Sequence, residues 1–164
     1  MESKIIFLED DLATRRLGSE LALEWVQAKE KINSKATINL KLPILLLTGD
    51  LGTGKTTLVK GIGHSLGICD PITSPSFALA QHYFGAATTQ LPTLIHLDLY
   101  RLENSYSADE LFAQEEEEAI ANGALMAVEW PERLSFFPKH AWEIKLKFAS
   151  TFNPDLGRQA LINR

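Results

Sequence analysis

The 164-residue chain has very little cysteine and no long apolar run. Its single cysteine, Cys69, excludes an internal disulfide and favours a reducing compartment. We interpret Cys69 as a small, buried hydrophobic side chain. No stretch of 18 apolar residues and no signal-peptide pattern occurs, so we expect a cytoplasmic protein with no membrane partner.

The chain also has no excess of basic residues. Sixteen Lys and Arg stand against 21 Asp and Glu, for a net charge of −5. This balance argues against autonomous binding to nucleic acid, although a local basic patch is compatible with it. The length and a hydrophobic content of 45% predict a single domain, residues 1–164, with a substantial core.

The clearest motif is a phosphate-binding loop, written as glycine, four residues, then Gly-Lys-Ser/Thr. An apolar run at 44–48 precedes it and a helical pattern follows, which is the context that such a loop requires. We define the phosphate loop as Gly49, Asp50, Leu51, Gly52, Thr53, Gly54, Lys55 and Thr56, with Thr57 directly behind it.

The residue types of the phosphate loop suit a nucleoside triphosphate. Its three glycines permit unusual backbone angles, so that N–H groups can converge on phosphate oxygens. Lys55 can place its ammonium on the β and γ phosphates. The Thr56 hydroxyl can ligate a Mg²⁺ ion that bridges them.

The periodicity of the chain predicts an α/β domain with a P-loop NTPase-like three-layer fold. We expect a mostly parallel central sheet with antiparallel additions. The segment 142–148 alternates apolar and charged residues, which is typical of a half-exposed, antiparallel strand. Predicted strands cover 4–8, 44–48, 76–83, 93–98, 124–129, 142–148 and 158–162; predicted helices cover 12–29, a segment from Lys55 to a stop at Gly67, and a segment ending near Ile120.

The last predicted helix carries two further expectations. Ser107 or Asp109 is the expected N-cap. The four acids at 115–118 are interpreted as a solvated helix face. In the helix after the phosphate loop, Gly61 and Gly63 are explained by close packing on the sheet.

Two carboxylates end predicted buried strands, Asp98 and Glu129. In α/β sheets, ligands bind beyond the carboxyl ends of the strands, beside the phosphate loop. Such acids can hold Mg²⁺ directly or through water and can orient an attacking water. Alternatively, each acid caps its strand or pairs with a base such as Arg101. Ser74 and Ser76, in the turn after the helix, carry hydroxyls that can reach the metal or a water.

Several segments together resemble one bacterial family of small ATPases, the TsaE (YjeE) family. They occur in the same order and at similar spacing, and the likeness extends over nearly the whole chain. They are residues 49–57, Thr73-Ser-Pro-Ser-Phe77, His96-Leu-Asp-Leu-Tyr-Arg-Leu102 and Val128-Glu-Trp-Pro-Glu132.

The resemblance implies an ATPase that uses ATP and Mg²⁺ and supports N6-threonylcarbamoyladenosine formation at tRNA position 37. It would bind the partner proteins TsaB and TsaD and permit their repeated turnover, meeting tRNA only through that complex. The residues that it points to are Lys55, Asp98 and Glu129 for catalysis, Thr56, Asp98 and Glu129 for the metal, Trp130 beside the nucleotide, and Asp11, Thr14 and Arg158 for the adenine pocket.

The chain departs from the family pattern at a few positions. Thr53 stands where Ala is usual and Ser76 where Thr is usual. The stretch 29–43 is longer than expected, and 85–93 also differs.

Three other functions stay open at this point. A small-molecule kinase would need a phosphoacceptor pocket and usually an Arg-rich lid. A GTPase would carry an Asp-x-x-Gly and an Asn-Lys-x-Asp motif, and both are missing from this sequence. A nucleotide-gated binding module would hydrolyse ATP negligibly, with or without its partners.

Overall fold

The computed structural model describes residues 3–34, 42–85 and 93–164. The strands are β1 (Ser3–Leu8), β2 (Ile44–Thr48), β3 (Ala80–Tyr83), β4 (Leu94–Asp98), β5 (Leu125–Glu129), β6 (Ala141–Phe148) and β7 (Arg158–Asn163). The helices are α1 (Asp11–Ser34), α2 (Lys55–Ser65) and α3 (Ser105–Asn122), with short 3₁₀ turns at Pro131–Arg133 and Pro154–Leu156. Across these ranges, none of the helices has the length and hydrophobicity needed to cross a bilayer.

The seven strands form one sheet in the order β1-β7-β6-β2-β5-β4-β3. The four inner strands β6, β2, β5 and β4 are parallel to one another. Antiparallel pairings lie at both ends: β7 pairs antiparallel with β6 and with β1, and β3 pairs antiparallel with β4. The predicted parallel centre with antiparallel additions is therefore confirmed.

Helices cover both faces of the parallel centre. Along β2, Leu45 and Leu47 pack into one core with α1 and α2, whereas Ile44 and Leu46 pack into a second core with α3. Because side chains alternate across a strand, a strand that is buried on both faces must be apolar throughout. The unbroken apolar run before the phosphate loop has this cause.

Helices α1 and α2 approach each other so closely that glycine is required. A β-carbon at Gly61 would lie 2.0 Å from the carbonyl oxygen of Arg15, and one at Gly18 would lie 2.1 Å from that of Leu58. Gly63 lies against the side chain of Ile72. The expected close packing of Gly61 and Gly63 exists, but its partners are a helix and a loop side chain, and the sheet is not involved.

Two helices differ from their predicted bounds. α1 begins at Asp11 and extends to Ser34, five residues past the predicted end; residues 35–41 lie outside the described ranges. Asp10 caps it by accepting a hydrogen bond from the Ala13 amide at 2.7 Å. The cap of α3 is Asn104, which accepts from Tyr106 N, and not Ser107 or Asp109.

The predicted strand at 76–83 is correct only from Ala80 onward. Residues 76–78 form a turn, and Leu79 has a left-handed φ of 66°. Strand β6 pairs antiparallel with β7 as expected, but it pairs parallel with β2 on its other side. It is thus part of the sheet interior, which hydropathy alternation alone did not reveal.

Two burial predictions are wrong. Cys69 is exposed, in the loop after α2. Glu115 is only 6% exposed, although it belongs to the run of four acids. It follows Phe112 by three residues and precedes Ala119 by four, so it lies on the buried stripe of α3, where His82 of β3 meets it at 2.6 Å.

Candidate functional site

The phosphate loop joins the carboxyl end of β2 to the start of α2. Gly49, Gly52 and Gly54 have φ angles of 135°, 80° and 102°, which are strained for any residue with a side chain. Gly54 is also the N-cap of α2. The free backbone amides of the first helical turn and the positive end of the helix dipole therefore point toward the phosphate loop. The loop has the backbone form that binds an anion.

Lys55 is buried beside this loop, with only 4% of its surface exposed. Its Nζ donates to the carbonyls of Gly49 at 2.6 Å and Asp50 at 3.0 Å, and lies 4.1 Å from the centre of the Trp130 ring. Burial lowers the pKa of Lys55 below its ordinary value of 10.5, and nearby carboxylates, Glu129 foremost, oppose that shift. Because burial disfavours the charged form of Lys55, an anion that binds beside its ammonium would stabilise that charge.

Thr56 and Glu129 form the chemical centre of the site. The Thr56 hydroxyl donates to Glu129 Oε1 at 2.8 Å. The same oxygen lies 3.0 Å from His96 Nε2. Glu129 is 3% exposed, so its charge is stabilised by these two neighbours and by Lys55 more than by solvent.

Asp98 lies directly beside Glu129, because the two residues are register partners at the ends of β4 and β5. Asp98 Oδ2 accepts from the Ser74 hydroxyl at 2.5 Å, and Oδ1 accepts from the Tyr100 amide at 3.0 Å. In the described ranges, Arg101 forms no ion pair with either acid; its guanidinium lies over the Phe77 ring at 4.0 Å. Pairing with Arg101 is thus not what keeps these acids at the strand ends.

A cleft of about 390 Å³ opens above these groups. Eleven of the thirteen residues that line it are predicted site residues: members of the phosphate loop, Thr57, the two acids, the two serines and Trp130. They are Leu51, Gly52, Gly54, Lys55, Thr56, Thr57, Ser74, Ser76, Asp98, Tyr100, Arg101, Glu129 and Trp130.

The remaining predicted residues lie behind or beside the cleft. Thr53 is fully buried, and its hydroxyl donates to the Asp50 carbonyl at 2.8 Å, which closes the loop. Gly54 has Thr14 and Arg158 as its neighbours. Asp11 is the first residue of α1 and is exposed. The structure groups Thr14 and Arg158 near the loop, and their contact with adenine stays a prediction.

Comparison with known proteins identifies the family. The family model described as "Threonylcarbamoyl adenosine biosynthesis protein TsaE" matches residues 8–156. The chain belongs to the TsaE family. The resemblance that the four sequence segments indicated is confirmed.

Individual TsaE relatives agree with the family match. Proteins named "tRNA threonylcarbamoyladenosine biosynthesis protein TsaE" are 46% identical over 98 residues in Synechocystis, 41% over 120 in Nostoc and 33% over 133 in Aquifex aeolicus. These matches cover 58%, 73% and 79% of this chain. They span 58%, 68% and 78% of the relatives' own lengths.

A solved structure supports the fold. The crystal structure of Bacillus subtilis YdiB superposes with a TM-score of 0.60 at 25% identity, over 98% of this chain and 84% of that one. The P-loop NTPase-like fold predicted from the sequence is therefore confirmed.

Sequence reasoning missed two contributors to this TsaE site. His96 touches Glu129, and Tyr100 lines the cleft with its ring 4.9 Å from that of Trp130. A signal for His96 was present: it precedes Asp98 by two residues on a strand, so both side chains leave the same face of the sheet. Trp130 itself has a left-handed φ of 60°, which is strained for a bulky residue and turns the chain directly after Glu129.

Proposed function

We propose that this TsaE-family protein is a Mg²⁺-dependent ATPase that supports formation of N6-threonylcarbamoyladenosine at tRNA position 37. The observation that carries the proposal is the 2.8 Å hydrogen bond from Thr56 to Glu129 at the base of the phosphate loop. The family match supplies the pathway. The site supplies the reason to expect hydrolysis.

The residues present fit a magnesium triphosphate. Because the Thr56 hydroxyl donates its hydrogen bond to Glu129, the lone pairs of the Thr56 oxygen stay available to a cation. Thr56, Asp98 and Glu129 would hold a Mg²⁺ ion, which would offset the negative charge that develops during phosphoryl transfer. Lys55 and the backbone amides of the phosphate loop would bind the phosphate oxygens.

Asp98 is suited to hold or orient a water beside the γ-phosphate. It lies next to Glu129 in register, and it reaches the cleft from the neighbouring strand end. Its bond to Ser74 connects it to the segment that leads from α2 toward β3. If a γ-phosphate accepted the hydrogen bond of the Ser74 hydroxyl in place of Asp98, this segment would move. Nucleotide switches transmit their state in this way.

The expected partners are the TsaB and TsaD proteins, in the cytoplasm. The acidic balance of the chain supports an arrangement in which tRNA is met only through that complex. Binding and resetting of the TsaB–TsaD pair, with the transfer chemistry left to TsaD, is the role that we propose.

ATP turnover with and without the partners tests this proposal. Phosphate release should require Mg²⁺ and should rise when TsaB and TsaD are added. Equal, near-zero rates in both conditions would favour a nucleotide-gated binding module instead. Transfer of labelled phosphate to a small molecule would favour a kinase, and stronger competition by GTP than by unlabelled ATP would favour a GTPase.

A further inference from the structure

His96 is a completely buried histidine that contacts the proposed metal-binding acid. Its side chain is 0% exposed, and Nε2 lies 3.0 Å from Glu129 Oε1. The Thr56 hydroxyl donates to that same oxygen. Within the described ranges, both hydrogen bonds of the Glu129 carboxylate converge on Oε1, and Oε2 accepts none.

The sheet explains how His96 reaches Glu129. On β4 and β5, His96 is the register partner of Ala127, and Asp98 is the partner of Glu129. Ala127 carries only a methyl group, so the imidazole can extend over it toward the next residue on the same face. The histidine therefore approaches Glu129 from below, opposite the side on which the cleft opens.

The surroundings also determine where the proton of His96 lies. An ionised carboxylate only accepts hydrogen bonds, so Nε2 must donate. The other ring nitrogen, Nδ1, is buried and has no hydrogen-bond partner among the described residues. A hydrogen on Nδ1 would have no acceptor among the described residues, so the hydrogen that His96 directs at Glu129 is the one on Nε2.

The burial argues that this hydrogen bond has a purpose beyond packing. A polar ring in a core costs free energy that an apolar side chain of similar size would avoid, unless its hydrogen bond is needed. Residues that hydrogen-bond to metal ligands commonly fix the orientation of those ligands. His96 has the contact and the burial of such a residue.

We propose that His96 is a positioning residue for Glu129. It fixes the position of Oε1, so that this oxygen accepts the hydrogen bond from Thr56. Oε2 then stays available to Mg²⁺ or to a water bound to the ion. The inference rests on the proposed Mg²⁺–nucleotide site and adds to it a residue that acts only through Glu129.

Two substitutions at His96 separate positioning from packing. In His96→Gln, the side-chain amide nitrogen can occupy the place of Nε2 and donate to Glu129. In His96→Asn, the amide stands where Nδ1 was and cannot reach. Ile95→Val, on the same strand but packed in the other core, is the control for a small loss of core packing.

The measurement is nucleotide affinity as a function of Mg²⁺ concentration, followed with a fluorescent ATP analogue in the full-length protein. His96→Asn should raise the half-saturating Mg²⁺ concentration by about tenfold or more. His96→Gln should lie closer to the parent protein, and Ile95→Val should match it. Affinity measured with a chelator and no Mg²⁺ should be unchanged in all three variants.

An NMR measurement on the parent protein provides a test that needs no variant. The ¹⁵N shifts of His96 should report a hydrogen on Nε2 that is shared with Glu129. An Nδ1–H tautomer would overturn the proposal, as would a His96→Asn variant with the Mg²⁺ dependence of the parent and only a lower Tm.

Failure of the proposed function would look different. It would appear in the parent protein itself, as nucleotide binding that is absent or indifferent to Mg²⁺. That result would overturn both proposals. Mg²⁺-dependent binding in the parent with no distinction between the Asn and Gln variants would overturn the role of His96 alone.

Discussion

Among the residues that the structure describes, two histidine–glutamate pairs have the same chemistry and different surroundings. In the site pair, His96 Nε2 and Glu129 Oε1 are 3.0 Å apart, with 0% and 4% of the side chains exposed. In the edge pair, His82 Nε2 and Glu115 Oε2 are 2.6 Å apart, with 34% and 8% exposed. Each pair joins residues 33 positions apart in the chain.

The neighbours of each glutamate account for the difference. Glu129 also accepts from Thr56 and lies beside Asp98 and Lys55, so its pair belongs to the cleft in which we propose that Mg²⁺ and nucleotide bind. Glu115 receives no second hydrogen bond in the described ranges, and its pair joins the edge strand β3 to α3. A buried His–Glu contact is therefore no sign of a functional site until its third partner is known.

The largest effect on ATP binding and turnover should come from removing Lys55, the cation beside the site pair. Lys55→Ala should abolish detectable ATP binding or turnover, because the buried ammonium is the group expected to contact the phosphates. Lys60→Ala removes the same charge from α2, outside the cleft, and should bind ATP normally. Titration with a fluorescent ATP analogue checks both, and unchanged turnover in Lys55→Ala would count against the site assignment.

The second largest effect should distinguish Glu129 of the site pair from Glu115 of the edge pair. Glu129→Ala should lower ATP turnover on the order of a hundredfold, the usual loss for a preorganised group at a charged transition state, while most nucleotide binding is retained. Glu115→Ala should keep the parent rate. Steady-state phosphate release gives the comparison. Equal losses in the two variants would mean that the pairs do not differ in function.

Loss of the edge histidine should act on stability. His82→Ala leaves the carboxylate of Glu115 buried without its partner, which should lower the free energy of unfolding by about 1–3 kcal/mol. Urea unfolding monitored by circular dichroism measures this change. Affinity for nucleotide should stay within error of the parent, and a large loss of affinity would assign the edge pair to the site as well.

The smallest expected effect concerns local opening of the edge strand. Among the described strands, β3 pairs with β4 alone, so the edge pair should contribute much of the protection of β3. In His82→Ala, the amides of Ala80–Tyr83 should exchange hydrogen faster, whereas Lys60→Ala on α2 should leave them unchanged. Hydrogen-exchange mass spectrometry resolves this segment. Equal exchange in the parent and His82→Ala would show that backbone pairing alone holds β3.

Much of the candidate site could be predicted from the sequence because its signals are local. The spacing of Gly49, Gly54 and Lys55 defines a loop, and the glycines whose positive φ angles shape it lie within a few residues of one another. Asp98 and Glu129 each follow an apolar run, so their places at strand ends were also predictable.

The errors have a common cause, which is that burial depends on distant partners. Glu115 belongs to a run of acids, and only the arrival of His82 from β3 makes its burial tolerable. The strand predicted from Ser76 is interrupted at Leu79, whose carbonyl accepts from the Asp98 amide at 2.9 Å. That contact holds the preceding segment at the cleft. The alternation of apolar and polar residues in the sequence does not indicate it.

Residue order alone was enough to specify the phosphate loop, the strands buried on both faces and the two acids at their ends. These follow from glycine conformations and from hydrophobic periodicity, which act over a few residues. Tertiary structure decided that β5 lies between β2 and β4, so that Thr56, Glu129, Asp98 and His96 meet. Periodicity records which face of a strand is buried and does not record which strand lies beside it, because that choice depends on how the whole chain packs.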